Sequence, residues 1–300
     1  MKLLLLGCNG QVGWELQRSL APLGNLVSCD VDTPPDFRAD FTVPDAVVDL
    51  VDRIRPDVIV NSAAYTAVDK AESEPARARL INAATVSAVA QRARAHGALF
   101  VHYSTDYVFD GGGTEPRDET ASTGPLSVYG TTKLEGEKLI RESGCRFVVL
   151  RTSWVYAARG HNFLKTMLKL SMERDSLSVV DDQFGAPTGA DLLADVTAHI
   201  VRELSLQQGR EGLFHCVAKG ETSWFGLAQF VIEWARANGQ HVKVESGGIR
   251  PIASSQYVTP ARRPLNSRLS TNKLEQTFGL RLPNWQLGVE RALSELHRQS

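Results

Sequence analysis

Short apolar runs alternate with longer amphipathic stretches across the first half of the chain, and no other feature constrains its fold as strongly. The runs Lys2–Leu6, Leu26–Cys29, Val58–Asn61, Leu99–Ser104 and Arg146–Arg151 read as strands. Between them, the spacing of apolar residues predicts helices over Gln11–Leu23, Asp45–Ile54, Pro75–His96 and Tyr129–Glu142. A helix between successive strands acts as a crossover, so the strands run parallel and the helices cover both faces of the sheet. Val58-Ile-Val60 and Phe147-Val-Val-Leu150 lack alternating polar residues, as strands buried on both sides do. The expected class is α/β, a Rossmann-like doubly wound parallel sheet. In such sheets ligands sit beyond the carboxyl ends of the strands. Chemistry is therefore expected at Gly7–Gly13, Asp30–Asp32, Ser62–Asp69, Thr105–Phe109 and Thr152–Tyr156.

Beyond Tyr156 the alternation weakens. Helical patterns over Phe163–Arg174, Ala190–Glu203 and Ser223–Ala237 are separated by loops rich in Gly and Pro. The 300 residues leave room for two lobes. The expectation is a dinucleotide-binding domain over 1–155 and a smaller α/β substrate-binding domain over 156–300, with part of 190–220 packing back onto the first. A net charge of −1 gives no overall field to attract nucleic acid or an anionic membrane, so small-molecule ligands are expected. The apolar start Met1–Gly7 is too short for a secretion signal, and no apolar stretch approaches the roughly 20 residues that cross a bilayer. Cys8, Cys29, Cys145 and Cys216 are scattered, without CxxC or zinc spacing, as buried thiols in a reducing cytoplasm would be.

Gly7-x-x-Gly10-x-x-Gly13 follows a strand and opens a helix. Glycines there allow a tight turn, close backbone approach to a pyrophosphate and strand–helix packing, and free helix N–H groups face the phosphate charge. An ordinary βα turn is the alternative, and Asp30 weighs against it. Asp30 ends the second strand, where a carboxylate hydrogen-bonds the adenosine ribose and favours NAD; Arg38 nearby leaves NADPH open. Asp40 and Phe41 offer a further acceptor and a face for adenine, or a simple turn.

Tyr129 and Lys133, at i and i+4, share one helical face. A neighbouring ammonium draws a phenol's pKa down toward the working range, which suits proton transfer; alone, such a pair is more often a surface contact. Thr105 leaves a strand at the same sheet edge, where it either donates to a carbonyl oxygen beside Tyr129 or caps the strand. Asn82 lies within an apolar helix, either as a satisfied buried amide or as part of a proton-relay water.

The glycine loop, Thr105 and the Tyr129/Lys133 pair resemble the extended branch of the short-chain dehydrogenase/reductase family. The resemblance extends through Gly10–Leu16, Pro56–Asn61, Thr66–Glu72, His102–Phe109, Arg151–Tyr156, Asp182–Thr188 and Pro260–Pro264, almost the whole chain. It implies an NADH- or NADPH-dependent oxidoreductase that passes hydride to C4 of dTDP-4-dehydro-L-rhamnose. That step closes the making of dTDP-L-rhamnose for cell-surface polysaccharide such as lipopolysaccharide O-antigen. By the same resemblance Tyr129 protonates the alkoxide, Lys133 holds the nicotinamide ribose and tunes the phenol, and Thr105 polarises the carbonyl. Coenzyme contacts are implied for Gly7, Gly10, Gln11, Val12, Gly13, Asp30, Asp40, Phe41, Ala63, Ala64, Tyr65, Thr66 and Tyr103; Tyr65 stands where the family pattern has His. Substrate contacts are implied for Thr105, Asp106, Tyr107 and Trp154, with Arg262 and Arg263 either on the diphosphate or in a solvated loop. The resemblance also implies Mg²⁺ between the subunits of a homodimer, on Glu15, Asp191 and Glu295, the second shorter than the Glu expected there. Two alternatives remain: a non-catalytic dinucleotide-binding regulatory subunit, and a nucleotide-sugar epimerase or dehydratase that recycles a tightly held NAD.

Overall fold

In the computed structural model, which describes residues 1–298, six parallel strands form one sheet. Strands β1 (Lys2–Leu6), β2 (Asn25–Cys29), β3 (Val58–Asn61), β4 (Leu99–Thr105) and β5 (Arg146–Thr152) are joined at one edge by Gly212–His215, in the order Gly212–His215, β5, β4, β3, β1, β2. The chain steps outward from β1 to β2 and then crosses to the other side of β1 to lay down β3. That reversal opens a crevice beyond the carboxyl ends of β1 and β3, where Gly7 and Ser62 emerge.

Side chains of a strand alternate between faces, and here both faces are dry. Leu3 and Leu5 pack with Leu16 and Leu20 of helix Gln11–Leu20 and with Leu193, Val196, Ile200 and Leu204 of helix Ala190–Leu206. Leu4 and Leu6 face the opposite way, onto Val47, Leu50 and Val51 of helix Pro44–Ile54 and Val86, Val89 and Ala93 of helix Thr85–His96. Each fully buried leucine contributes about 2 kcal/mol, so a polar residue in β1 would be costly on either face. A separate core joins helices Phe163–Glu173, Trp224–Ala237 and Trp285–Arg298 through Leu164, Met167, Leu227, Val231, Trp285 and Val289. Beside it, Leu177–Val180 and Ile249–Ile252 pair in parallel.

Most helices shift by one to three residues at an end, and two of the expected ones break. The one expected over Gln11–Leu23 ends at Leu20, and Ala21–Leu23 tightens into a 3₁₀ turn around Pro22, which lacks the N–H that a continuing helix needs. The one expected over Pro75–His96 breaks into Pro75–Arg79, a π-helical turn at Leu80–Ala84, and Thr85–His96. The wide turn turns Asn82 inward, where its amide bonds the Tyr65 backbone on both sides and Thr132 Oγ1. Asn82 is thus a satisfied buried amide. Among the described residues no helix is long and apolar enough to cross a membrane.

Candidate active site

The three loop glycines do different work. At Gly7, with φ 83°, a Cβ would lie 2.5 Å from Ala63 N; at Gly13 it would lie 1.9 Å from Gly7 O. Both positions are closed by the protein's own backbone. Gly10 would meet only Gly7 O at 3.5 Å, an ordinary contact, and it caps the helix whose free N–H groups open into the crevice. Asp30 stands beside this loop and accepts from the backbone N–H of Asn9 at 2.8 Å and of Val31 at 2.7 Å. Asp40 accepts from the hydroxyl and backbone N–H of Thr42, which together hold its carboxyl below the usual range.

A cavity of about 670 Å³ runs from this loop across the sheet edge. Its wall includes Gly7, Gly10, Gln11, Val12, Asp30, Asp40, Phe41, Ala63, Ala64, Thr66 and Tyr103, and further along Thr105, Asp106, Tyr107, Tyr129, Lys133 and Trp154. Two residues expected to touch coenzyme do not line it. Gly13 lies beneath the loop as a packing position, and Tyr65 turns its hydroxyl to Glu74 at 2.9 Å. Ser153, within the strand-end segment Thr152–Tyr156, also lines the cavity, as do Arg77, Ile81 and His161, which carry no motif that marks them in the sequence.

Helix Val128–Glu142 carries the chemistry. Ser127 caps it by accepting from Gly130 N–H at 3.2 Å, and Gly130 lets it approach so closely that a Cβ would sit 2.2 Å from Tyr107 O. This contact sets Tyr129 edge-on to Tyr107, with ring centroids 5.6 Å apart. Lys133 is 2 % exposed, and its Nζ donates to the Tyr103 carbonyl at 2.6 Å and lies 3.0 Å from His102 Nε2. Burial pulls the Lys133 pKa down to about 8, against the charge of Glu137.

The expectation that Lys133 draws the phenol down is not met. Burial pushes Tyr129 up to about 12, a hydrogen bond with Thr105 pulls it back and the charge of Asp106 pushes it further up, while the Lys133 amine is turned toward β4. Asp106, 2 % exposed, is itself pushed up to about 6 by burial, against hydrogen bonds with Ser267 and Thr105.

One turn along from Lys133, Glu137 forms a buried pair with Arg151, at 2.9 and 2.6 Å, and accepts from the Ser104 hydroxyl. A pair this deep costs desolvation for both charges and is held by its bidentate geometry. Trp154 has φ 50° and stacks on Trp224 at 3.7 Å and 12°. A left-handed aromatic residue is strained backbone, here on the cavity wall. Arg263 pairs with Asp69 at 2.7 Å and Arg262 is exposed; neither lines the cavity.

Glu15, Asp191 and Glu295 do come together, in a small separate cavity with Tyr156 and Arg291. The Arg291 guanidinium lies 3.2 Å from Asp191 and 3.4 Å from Glu295, and Glu15 meets Arg18 at 3.5 Å. Among the described residues no group of three His, Cys, Asp or Glu is arranged to hold a metal ion. The fixed cation of Arg291 already balances two of the three carboxylates that the resemblance assigned to Mg²⁺.

A model of the family described as RmlD substrate binding domain matches residues 1–298. The dTDP-4-dehydrorhamnose reductase of Escherichia coli (strain K12) is 54% identical over 296 residues, 99% of this chain and 98% of the relative. That of Burkholderia thailandensis is 45% identical over 303 residues, all of both chains. Among solved structures, a dTDP-4-dehydrorhamnose reductase from Clostridium acetobutylicum superposes with a TM-score of 0.90 at 35% identity, covering 99% of this chain and 100% of that one. The Bacillus anthracis enzyme in complex with NADP gives 0.87 at 35% identity, covering 98% and 99%.

Proposed function

We infer, for a chain that belongs to the RmlD substrate binding domain family, that it catalyses the NAD(P)H-dependent reduction of dTDP-4-dehydro-L-rhamnose to dTDP-L-rhamnose. The observation that carries this reading is the single cavity that joins a glycine loop at a helix N-terminus to Thr105, Tyr129 and Lys133. Full-length similarity to reductases of that name supports it.

A dinucleotide fits the cradle. Gly7 and Gly13 hold the loop flat against the sheet, the helix N–H groups beyond Gly10 face the diphosphate, and Asp30, Asp40 and Phe41 would hold the adenosine. Asp30 suits the ribose hydroxyls of NADH, and Arg77 on the same wall supplies a cation for the extra phosphate of NADPH. The bound coenzyme supplies hydride. Tyr129 gives its phenolic proton to the oxygen at C4, and Thr105 donates a hydrogen bond to that same oxygen as charge develops on it. Lys133 would hold the nicotinamide ribose, and Trp154, Asp106 and Tyr107 bound the sugar. Residues 1–155 then serve the dinucleotide and 156–300 mainly the sugar nucleotide, with helix Ala190–Leu206 and strand Gly212–His215 belonging to the first core.

Four free, buried cysteines suit a cytoplasmic setting. The homodimer implied by the resemblance would meet at Glu15, Asp191 and Glu295. Because Arg291 already pairs two of these, the dimer mass in sedimentation should survive a chelator; dissociation on removing Mg²⁺ would restore the metal to the interface.

Purified protein mixed with NADH or NADPH and the keto sugar should consume coenzyme in equal amount to the alcohol formed. Absence of consumption with bound coenzyme would favour a regulatory subunit, and sugar conversion without net coenzyme loss an epimerase or dehydratase.

A further inference from the structure

A dinucleotide carries negative charge on both of its phosphates, and the glycine-loop wall meets that charge with backbone N–H groups. Around the whole cavity, three side chains among the described residues carry a basic nitrogen: Arg77, Lys133 and His161. Arg77 stands at the adenosine end, where, behind the two Thr42 hydrogen bonds, its charge helps hold Asp40 low. Lys133 is buried at the catalytic end, with its amine turned to the Tyr103 carbonyl. His161 remains for the stretch between them.

Its place is fixed from both sides. His161 is exposed on the loop that precedes helix Phe163–Glu173, between Gly160 and Asn162, and both of these neighbours rest on Gln11, the first residue of helix Gln11–Leu20. Gly160 has φ 77° and packs so closely that a Cβ there would lie 3.1 Å from Gln11 Cγ. Asn162 Nδ2 donates to Gln11 Oε1 at 2.9 Å and to the Ala157 carbonyl at 2.6 Å, while Asn162 Oδ1 accepts from the Lys165 backbone N–H at 3.2 Å. That N–H can only donate and that carbonyl can only accept, so the Asn162 amide has one orientation. Gln11 must then turn its oxygen to Asn162, which leaves its NH₂ group to donate elsewhere. Gln11 also lines the cavity, so a side-chain donor stands beside His161 at the same helix N-terminus.

We propose that His161 binds the coenzyme, donating a ring N–H to its diphosphate oxygens, and that Asn162 is the positioning residue that holds this loop and the Gln11 amide over the helix N-terminus. An imidazole carries at least one N–H in either charge state, so the contact needs no proton taken up. Donation to an ionised phosphate is the stronger kind of hydrogen bond. The proposal rests on the coenzyme cradle of the reductase reading and adds to it a contact from the second half of the chain, which then closes over the dinucleotide as well as the sugar.

NADH fluorescence, and its displacement by ADP or adenosine, reads this contact without turnover. ADP carries the diphosphate and adenosine lacks it. In His161→Ala the dissociation constants of NADH and ADP should rise by about tenfold with that of adenosine unchanged. His161→Gln, which keeps an N–H donor, should recover most of the affinity. Wild-type affinity for NADH and ADP in His161→Ala would overturn the proposal, as would an equal loss for adenosine. Unchanged NADH binding with weakened binding of dTDP would also overturn it, by giving the histidine to the sugar nucleotide. Should His161→Ala fail to fold, the His161 ring ¹⁵N signals of the wild-type protein, assigned by through-bond coupling, decide: they should move on adding ADP and stay in place on adding adenosine, and no movement with ADP overturns the contact. Coenzyme bound in this way without turnover of the keto sugar would sink the reductase reading and leave the contact standing, whereas a wild-type protein that binds neither NADH nor NADPH would overturn both.

Discussion

The two walls of the cavity are built on opposite principles. Around Gly7, with Gly13 packed beneath it, the wall is backbone, defined by the side-chain atoms that are missing; across from it, buried Thr105, Asp106 and Lys133 and half-buried Tyr129 form a wall of polar side chains. The difference teaches where each wall is fragile. Added atoms break the first, because nothing there can move aside, whereas lost or altered charge breaks the second while leaving its shape intact.

Gly13→Ala should have the largest effect. Its Cβ would collide with Gly7 O, a backbone atom, so destabilisation of about 3 kcal/mol or more is expected in chemical denaturation, with coenzyme binding lost. Gly10→Ala, facing only an ordinary contact, should keep the fold and weaken coenzyme binding alone. Equal destabilisation by the two would erase the distinction drawn within the loop.

On the opposite wall, Tyr129→Phe should keep the fold and coenzyme affinity but lower kcat by about 10²–10⁴-fold, since only the transferable proton is removed. Titration of coenzyme beside steady-state kinetics checks both halves. Undiminished turnover would exclude the phenol as the acid.

Carboxyls on the two walls should carry opposite pH signatures. Asp40, held low by Thr42, adds stability above the usual carboxylate pKa that is lost as pH falls. Asp106 is raised from 3.8 to about 6, so between those values the native state binds the extra proton and stability falls as pH rises. That shift is worth up to about 3 kcal/mol. Asp106→Asn should abolish this slope in urea midpoints measured from pH 4 to pH 6, and a wild-type slope of the other sign would contradict the buried-acid account.

The smallest effect concerns a tie between the halves of the chain. Arg159 lies over the Trp14 ring at 3.9 Å, both exposed, and Arg159→Ala should cost about 0.5–1 kcal/mol with kcat unchanged. A larger loss in kcat would make Arg159 part of the site.

The backbone wall was legible in sequence because glycines at fixed spacing after a strand announce it locally. Tyr129, Lys133 and Thr105 were legible for the same reason, as helix spacing and a strand end place them. What Lys133 touches was not: His102 meets it from β4, Asn61 meets the other side of that ring only through the β3–β4 register, and Glu137 finds Arg151 across two elements. The lowered phenol failed as an expectation because helical spacing fixes where Cβ atoms lie, while the direction of a four-carbon side chain is decided by the buried partners that satisfy it. The π turn at Leu80–Ala84 was hidden likewise, since its apolar pattern continues through it.

The most direct measurement follows the label. With coenzyme deuterated at the transferable position of the nicotinamide, the wild-type protein should place deuterium at C4 of dTDP-L-rhamnose, one per coenzyme consumed, and Tyr129→Phe should do so far more slowly. Product formed without deuterium at C4, or label returned to the coenzyme with no net oxidation, would contradict the account.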